Sequence, residues 1–310
     1  IFDKQIAETS LIINSSIPSR ILKKDESDNE QNDNFPYKRR LHLSFLLGLV
    51  KASDHMASGH YFPRPYPDLR RFNDNFKESR YPFQKKLLDI KNKGNIILKA
   101  PTGSGKTYSA QIWLKNNWQS NQRFFFILPY VASINAMYLR FKHDFEPENE
   151  NILAENVVVV HSKTQLFLYN LLQNDSPDGN QDIKNIRAAK NLIREIYYPI
   201  KISTAHQLLK LILFGKHWEQ LFVEVRNGFF VFDEIHAYEP RVLGMIFGLI
   251  KRLLTFGAKI MIMTATLPNF LLKYLQEEIF ENNIKEITLD ANQEQDSFLL
   301  NQTRHKFILK

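Results

Sequence analysis

Residues 100–107, APTGSGKT, combine small side chains with one lysine in a spacing that could hold the phosphates of a nucleotide. Gly103 and Gly105 would let the backbone turn its amide groups towards phosphate oxygens, and a helix opening at Lys106 would add its dipole to that attraction. Lys106 would then reach the β and γ phosphates of ATP, while Thr107 would coordinate Mg²⁺. The other interpretation of this phosphate loop is a glycine-rich turn with a purely structural role. The residues predicted to bind ATP here are Thr102, Gly103, Ser104, Gly105, Lys106 and Thr107.

An acidic pair follows an apolar run in the segment FFVFDEIHAYEP, and its position predicts a second part of the same site. If residues 229–232 form a strand of a parallel sheet, Asp233 and Glu234 lie at its carboxyl end, where such sheets bind ligands. Asp233 would hold Mg²⁺ through water, and Glu234 would be the general base for the water that attacks the γ phosphate. Acidic pairs are common on surfaces, so this assignment depends on the phosphate loop. With Lys106, the pair forms the predicted catalytic set.

Two threonines follow another apolar run, KIMIM, in the segment Thr264, Ala265 and Thr266. Beside the acidic pair, their hydroxyls would suit a relay between ATP hydrolysis and a nucleic-acid track, and His236 could couple the nucleotide site to it. The other interpretations are a capping turn before a helix over 269–276 for the threonines, and a hydrogen-bonded structural role for the histidine.

A parallel sheet is needed to bring these motifs together, and the sequence pattern predicts one. After about residue 77, short apolar runs alternate with helical stretches, which is typical of a parallel sheet covered by helices on both faces. The predicted strands are 95–99, 123–128, 157–160, 200–203, 229–232 and 259–263. The predicted helices are 106–116, 131–141, 183–196, 205–214 and 242–256. The expected fold class is therefore α/β, with a doubly wound parallel sheet.

The first 76 residues have a different organisation. Residues 23–34, KKDESDNEQNDN, contain no apolar side chain to bury and predict a mobile loop. Apolar residues at helical spacing over 41–56 predict a buried helix. The three prolines of YFPRPYPD, 61–68, cannot continue it and predict a domain linker over 61–76.

Composition and charge limit the classes of protein to which this chain can belong. The 41 basic and 33 acidic residues give a net charge of +8, which favours a polyanionic partner, although an ordinary basic protein is the alternative. Because there is no cysteine, disulfides and thiolate metal sites are excluded, and a metal would need oxygen or histidine ligands. No apolar run reaches the length of a membrane span, and residues 1–10 lack the layout of a signal peptide. We expect a soluble, cytoplasmic protein with no membrane partner.

The order of the motifs resembles that of superfamily two helicases, in which a phosphate loop, Asp-Glu-Ile-His and Thr-Ala-Thr each end a strand. The resemblance implies a RecA-like motor domain. Ala100, in place of the first glycine of the general pattern, is a departure common in helicase motors.

Three longer segments resemble the CRISPR-associated type I helicase-nuclease family: DEIHAYEPRVLGMI, LPYVASINAMYLRF and STAHQLLKLILFG. The resemblance implies an ATP-dependent helicase that tracks along single-stranded DNA and degrades foreign DNA opened by a Cascade-type, RNA-guided surveillance complex. It assigns Pro129, Asn135, Thr204 and His206 to segments that touch the DNA backbone, where hydrogen bonds to phosphate are suitable, although capping or core roles are the alternative. Gln84, in RYPFQKKLL, resembles the glutamine that reads adenine, because its amide both donates and accepts.

The same family carries a histidine-aspartate (HD) nuclease domain before the motor, and GLVKASDHMAS resembles its closing helix. This resemblance assigns Asp54 as a ligand of a divalent transition metal. Residues 1–40 contain no histidine, and His42, His55 and His60 form no recognisable ligand set. We therefore expect no DNA cleavage by this chain alone, and a solvated or paired Asp54 is the alternative.

The chain opens on Ile1 and stops at Lys310, which predicts a piece of a longer enzyme. The expected division is a helical remnant of the HD domain over 1–60, a linker over 61–76, a first RecA-like domain over 77–300, and the start of a second over 301–310. In this superfamily the second domain supplies arginines that raise the rate of phosphoryl transfer roughly a thousandfold or more. We therefore predict that this chain binds ATP but hydrolyses it feebly. The rival readings are a generic DExH-type RNA or DNA helicase, and a non-catalytic nucleic-acid-binding module switched by ATP.

Overall fold

The computed structural model describes residues 35–59, 81–88, 94–118, 122–146, 149–151, 153–173, 198–214 and 218–301. The predicted mobile loop over 23–34, the linker over 61–76, the helix over 183–196 and residues 302–310 lie outside the described residues.

In the described part of the chain, seven parallel strands form one sheet in the order β3-β4-β2-β5-β6-β1-β7. They are β1 (Asn95–Lys99), β2 (Phe124–Ile127), β3 (Val157–Val160), β4 (Ile200–Ser203), β5 (Phe229–Asp233), β6 (Lys259–Thr264) and β7 (Ile284–Thr288). The six predicted strands are confirmed. The seventh, β7, was not predicted, because only Ile287 of its five residues is fully buried and it lacks a continuous apolar run.

Side chains of each central strand alternate between two cores, one on each face of the sheet. In β2, Phe124 and Phe126 belong to one core, while Phe125 and Ile127 belong to the other. Strands that are buried on both faces have continuous apolar sequences, and these segments were therefore recognisable as strands from the sequence.

Helices cover both faces. They are α1 (Phe35–Ser58), α2 (Pro82–Leu88), α3 (Lys106–Asn117), α4 (Val131–Phe145), α5 (Thr164–Gln173), α6 (Ala205–Phe214), α7 (Trp218–Val225), α8 (Pro240–Thr255), α9 (Asn269–Tyr274) and α10 (Glu294–Asn301). The first core receives apolar side chains from α2, α3 and α4, and the second receives them from α6, α7, α8 and α9. The predicted α/β class, a doubly wound parallel sheet with helices on both faces, is confirmed.

Helix α1 was predicted over 41–56 and spans Phe35–Ser58, where it packs against α7. The two helices touch at Gly48, where a Cβ atom would lie 2.1 Å from the carbonyl oxygen of Glu219. Lys51 Nζ also lies 2.8 Å from Glu219 Oε1. The prediction that this helix is buried is wrong for one face, because α7 covers a single side. Its exposed apolar residues are Leu43, Leu46, Leu47, Leu49 and Val50.

Among the described residues, no helix has both the length and the apolar character needed to cross a membrane.

Candidate ATP and nucleic-acid site

The phosphate loop leaves the carboxyl end of β1 and leads into α3. Its two glycines have left-handed backbone angles, with φ of 76° at Gly103 and 86° at Gly105, which residues with a Cβ atom rarely adopt. Gly105 precedes α3 and offers no side chain to cap its first turn. The amide groups at the start of α3 are thus available to an anion, as the sequence predicted for a phosphate.

Two buried polar atoms at the loop have no hydrogen-bond partner among the described residues: Ser104 Oγ and Gln84 Oε1. Gln84 lies directly beside the loop, since a Cβ atom at Gly105 would be 2.8 Å from Gln84 Nε2. A buried oxygen without a partner carries a desolvation cost that a ligand donor would remove. The contact is compatible with the adenine-reading role of Gln84, which stays a prediction.

Lys106 connects the phosphate loop to the acidic pair. Its Nζ lies 2.8 Å from Glu234 Oε1 and donates a hydrogen bond to the Ala100 carbonyl oxygen at 3.2 Å. The sheet order explains this meeting, because β6 alone separates β1 from β5 and all three strands present their carboxyl ends at one edge. The Lys106 side chain is 7% exposed, so its charge is compensated mainly by these two partners.

Asp233 ends β5 and is almost fully buried. Burial and, to a lesser extent, the neighbouring charge of Glu234 raise the pKa of Asp233 to about 7, against the lowering effects of Lys106 and the Glu234 backbone N–H. That N–H donates to Asp233 Oδ1 at 3.0 Å. A buried carboxylate of this kind fits Mg²⁺, a hard cation that prefers oxygen ligands and would offset the cost of its charge. The hydroxyl of Thr107, at the start of α3, is the second predicted ligand.

Glu234 has a left-handed backbone with φ of 49°, which turns the chain from β5 into a 3₁₀ turn over Ile235–Ala237. Such angles are uncommon for residues other than glycine and occur often at functional sites. The turn brings His236 back towards the acidic pair, with Nδ1 at 3.3 Å from Glu234 Oε2.

A chain of hydrogen bonds joins His236 to the segment after β6. Thr264 Oγ1 donates to the Thr266 carbonyl oxygen at 2.6 Å, which uses the only proton of that hydroxyl. The contact of 2.8 Å between His236 Nδ1 and Thr264 Oγ1 therefore has the imidazole N–H as donor. The Pro268 N-cap of α9 has no side-chain capping bond, so the threonines do not cap that helix. Ala265 lies between them, and the relay role of the four residues stays a prediction.

The residues assigned to the DNA backbone lie on the other half of the same sheet edge. Pro129 follows β2, Thr204 follows β4, Asn135 lies in the first turns of α4 and His206 lies in the first turn of α6. Thr204 is buried, His206 is exposed, and the other two are intermediate. Their common placement agrees with one interface beside the ATP site, and their roles stay predictions.

Sequence reasoning missed His161, which follows β3 and contacts Asn135. Its Nε2 lies 3.0 Å from Asn135 Oδ1. The sequence could have indicated His161, because in the segment VVVVHSK a histidine directly follows an apolar run. The acidic pair follows an apolar run in the same way in FFVFDEIH.

The predicted nuclease ligand, Asp54, is exposed on α1. Among the described residues, no group of three or more histidine, aspartate or glutamate side chains could hold a metal ion. The Nδ1 atom of His55 instead lies 3.2 Å from the Nε2 atom of Gln220 on α7. His60 is outside the described residues, and the metal role of Asp54 stays a prediction.

Comparison with known proteins identifies the family. The model of the DEAD/DEAH box helicase family matches residues 81–273, which include the phosphate loop, the acidic pair and Thr264 to Thr266. A putative CRISPR-associated nuclease/helicase Cas3 of Methanocaldococcus jannaschii is 30% identical over 199 residues, 63% of this chain and 26% of that protein. The corresponding Cas3 of Methanothermobacter thermautotrophicus is 22% identical over 259 residues, 79% of this chain and 29% of that protein. The chain thus spans between a quarter and a third of the length of these curated relatives.

Solved structures agree on the fold. The crystal structure of T. fusca Cas3 with AMPPNP superposes with a TM-score of 0.52 and 21% identity, and the match covers 71% of this chain and 24% of that one. These likenesses agree with the resemblance found in the motifs, and the RecA-like fold is confirmed. The chain belongs to the DEAD/DEAH box helicase family, and its relatives include CRISPR-associated nuclease/helicase proteins.

Proposed function

We propose that this chain carries the first RecA-like domain of the ATP-hydrolysing motor of a helicase that moves along single-stranded DNA. The observation that carries the proposal is the meeting of Lys106 with Glu234, with Asp233 buried next to it, at the edge of a parallel sheet. A purely structural glycine-rich turn would not require a buried lysine and two carboxylates at one point.

The hydrolytic step follows from the chemistry of these side chains. Lys106 exchanges its contact with Glu234 for the β and γ phosphates, because the phosphates carry more negative charge. Glu234 is then free to accept a proton from the attacking water, with its carboxylate held near His236. Thr107 and Asp233 are the residues that would hold Mg²⁺, which would supply positive charge next to the phosphates.

The link to movement runs through His236, Thr264 and Thr266. A change in the charge of Glu234 alters the hydrogen bond that His236 can make, and His236 Nδ1 donates to Thr264 at 2.8 Å. Thr264 ends β6, and the carboxyl ends of β2, β4 and β3 lie further along the same edge. Those ends carry the residues proposed to contact the DNA backbone, so both substrates share one edge.

DNA is proposed as the track because the relatives are named nuclease/helicases of CRISPR systems. In the intact protein we include in the proposal a second RecA-like domain, a nuclease that uses a divalent transition metal, and a Cascade-type surveillance complex as partner. Degradation of foreign DNA in the cytoplasm would be the result. The net charge of +8 supports a polyanionic track without distinguishing DNA from RNA.

ATPase measurements with two nucleic acids test this proposal. We expect single-stranded DNA to stimulate ATP hydrolysis by the intact protein, and RNA of the same length to stimulate it less. The reverse order would favour a DExH-type RNA helicase. Hydrolysis that neither nucleic acid affects, together with nucleic-acid binding that ATP alters, would favour a switched binding module.

A further inference from the structure

His161 and Asn135 meet at the carboxyl edge of the sheet, on the half away from the phosphate loop. His161 follows β3 and is 6% exposed, while Asn135 lies on α4 at the proposed DNA interface. A short network holds the backbone of His161: its N–H donates to Thr164 Oγ1 at 2.9 Å, and that hydroxyl donates back to the His161 carbonyl oxygen at 2.9 Å. The histidine therefore projects from a fixed turn.

The hydrogen bonds of the ring determine which nitrogen carries the proton. The backbone N–H of Lys163 donates to His161 Nδ1 at 3.1 Å, so Nδ1 must hold a lone pair. The proton of the neutral ring is then on Nε2, which donates to Asn135 Oδ1 at 3.0 Å. Burial lowers the pKa of His161, and the charge of Lys163 acts in the same direction, so the ring is neutral at physiological pH.

This contact also determines the orientation of the Asn135 amide. Because Nε2–H is a donor, only the carbonyl oxygen of the amide can face it, and the NH₂ group points away from His161. Among the described residues, the NH₂ group of Asn135 has no hydrogen-bond acceptor. A half-exposed amide donor with a fixed direction is suited to a phosphate oxygen.

We propose that His161 is a positioning residue that holds the Asn135 amide with its NH₂ group directed at the nucleic-acid backbone. The proposal rests on the proposed function, since it takes Asn135 to be a phosphate contact. The proposal also goes beyond that function, because it adds His161, the residue after β3, to the DNA interface. A freely rotating asparagine would present its carbonyl oxygen to the phosphate part of the time, and that arrangement is repulsive.

Two substitutions at one position separate positioning from folding. In His161→Gln the amide nitrogen can replace Nε2 as the donor to Asn135. In His161→Asn the shorter side chain can still accept from the Lys163 N–H, but it cannot reach Asn135. Asn135→Ala and the double variant His161→Asn/Asn135→Ala complete the set.

The measurement is the Kd of the purified chain for a fluorescein-labelled oligothymidylate at fixed salt, with melting temperature and affinity for a fluorescent ATP analogue as controls. Asn135→Ala and His161→Asn should each weaken binding about fivefold, the magnitude of one hydrogen bond. The double variant should be no weaker than Asn135→Ala, and His161→Gln should bind within about twofold of wild type. The controls should not change.

The proposal is overturned if His161→Asn binds DNA as wild type does while Asn135→Ala is weaker, or if the two losses add in the double variant. Equal loss in His161→Gln and His161→Asn would also overturn it, because the role would then be structural. A wild-type chain that does not bind the oligonucleotide would instead contradict the proposed function.

Discussion

Asp233 and Glu234 are adjacent in sequence, but their environments give them different properties. Asp233 is buried at the end of β5, while Glu234 is turned by its left-handed backbone towards Lys106 and His236. Motif order was enough to predict both residues. The ion pair with Lys106 was not predictable, because it depends on the sheet order that places only β6 between β1 and β5.

A first prediction concerns the pH dependence of stability. The pKa of Asp233 is raised from its ordinary 3.8 to about 7, so between these values the folded chain keeps a proton that the unfolded chain has lost. The free energy of unfolding contributed by this group therefore falls as pH rises through that window. Asp233→Asn should melt at nearly the wild-type temperature near pH 4 and higher than wild type at pH 8. The gain in the free energy of unfolding at pH 8 should be on the order of 2 to 4 kcal/mol.

Thermal denaturation at several pH values, without nucleotide or Mg²⁺, measures this difference. Asp54→Asn is the control, since it removes an exposed carboxylate of α1. A difference in melting temperature between Asp233→Asn and wild type that stays constant from pH 4 to pH 8 would contradict the raised pKa of Asp233.

A second prediction concerns Gly105. An added methyl group would lie 2.8 Å from Gln84 Nε2, and φ of 86° is unfavourable for alanine. Gly105→Ala should lower ATP affinity at least about tenfold, because the loop can no longer present its amides in the same direction. Titration with a fluorescent ATP analogue checks this. Gly94→Ala is the control, because Gly94 also has a positive φ of 61° but lies before β1, at the opposite end of the strand from the loop. Equal affinities in the two variants would count against the assignment.

At the scale of elements, continuous apolar runs and the helices between them were recognisable, and elements with mixed polarity were not. The strand β7, with its polar exposed residues, and the short helix α2 carry no strong periodic signal, whereas α5 and α7 are amphipathic and were still not predicted. The helix α1 was recognised, but the face it buries was not, since α7 was not predicted as its partner. Contacts between elements are set by tertiary packing that a local pattern does not contain.

A third prediction tests the contact between α1 and α7. Gly48 is the point of closest approach, where a Cβ atom would lie 2.1 Å from the Glu219 carbonyl oxygen and 2.8 Å from Val223 Cγ2. Gly48→Ala should therefore force the helices apart and lower the free energy of unfolding by about 1 to 3 kcal/mol, despite the higher helix propensity of alanine. Ser53→Ala, on the exposed part of α1, should change it by less than about 0.5 kcal/mol. Urea unfolding followed by circular dichroism compares the two, and a more stable Gly48→Ala would show that the helices do not pack this closely.

At the scale of the molecule, one sheet edge carries two groups of proposed site residues. Those proposed for the ATP site lie at or just after the ends of β1, β5 and β6, and those proposed to contact DNA follow β2, β3 and β4. The order of the motifs indicated the ATP group, and the resemblance to the helicase-nuclease family assigned the DNA group. Neither indicated how the groups divide the edge, because strand order differs from chain order.

A fourth prediction follows from this division. His206→Ala should weaken single-stranded DNA binding a few-fold and leave ATP affinity unchanged, because His206 is exposed at the start of α6. Lys106→Ala should have the opposite effect, with ATP affinity lost and DNA binding in the absence of nucleotide kept. Fluorescence anisotropy with labelled DNA and with a labelled ATP analogue measures both. Loss of both affinities in each variant, at unchanged melting temperature, would mean that the groups are not separate.

The contact between Lys106 and Glu234 is the centre of the proposed motor, and Glu234→Gln tests it most directly. Glutamine removes both the base and a negative charge that competes with phosphate for Lys106 at 2.8 Å. ATP should bind to the variant at least as tightly as to wild type, while hydrolysis by the intact protein on single-stranded DNA falls about 100-fold or more. Glu239→Gln, an exposed change nearby, is the matched control. Hydrolysis at the wild-type rate in Glu234→Gln would contradict the assignment of the base and the mechanism built on it.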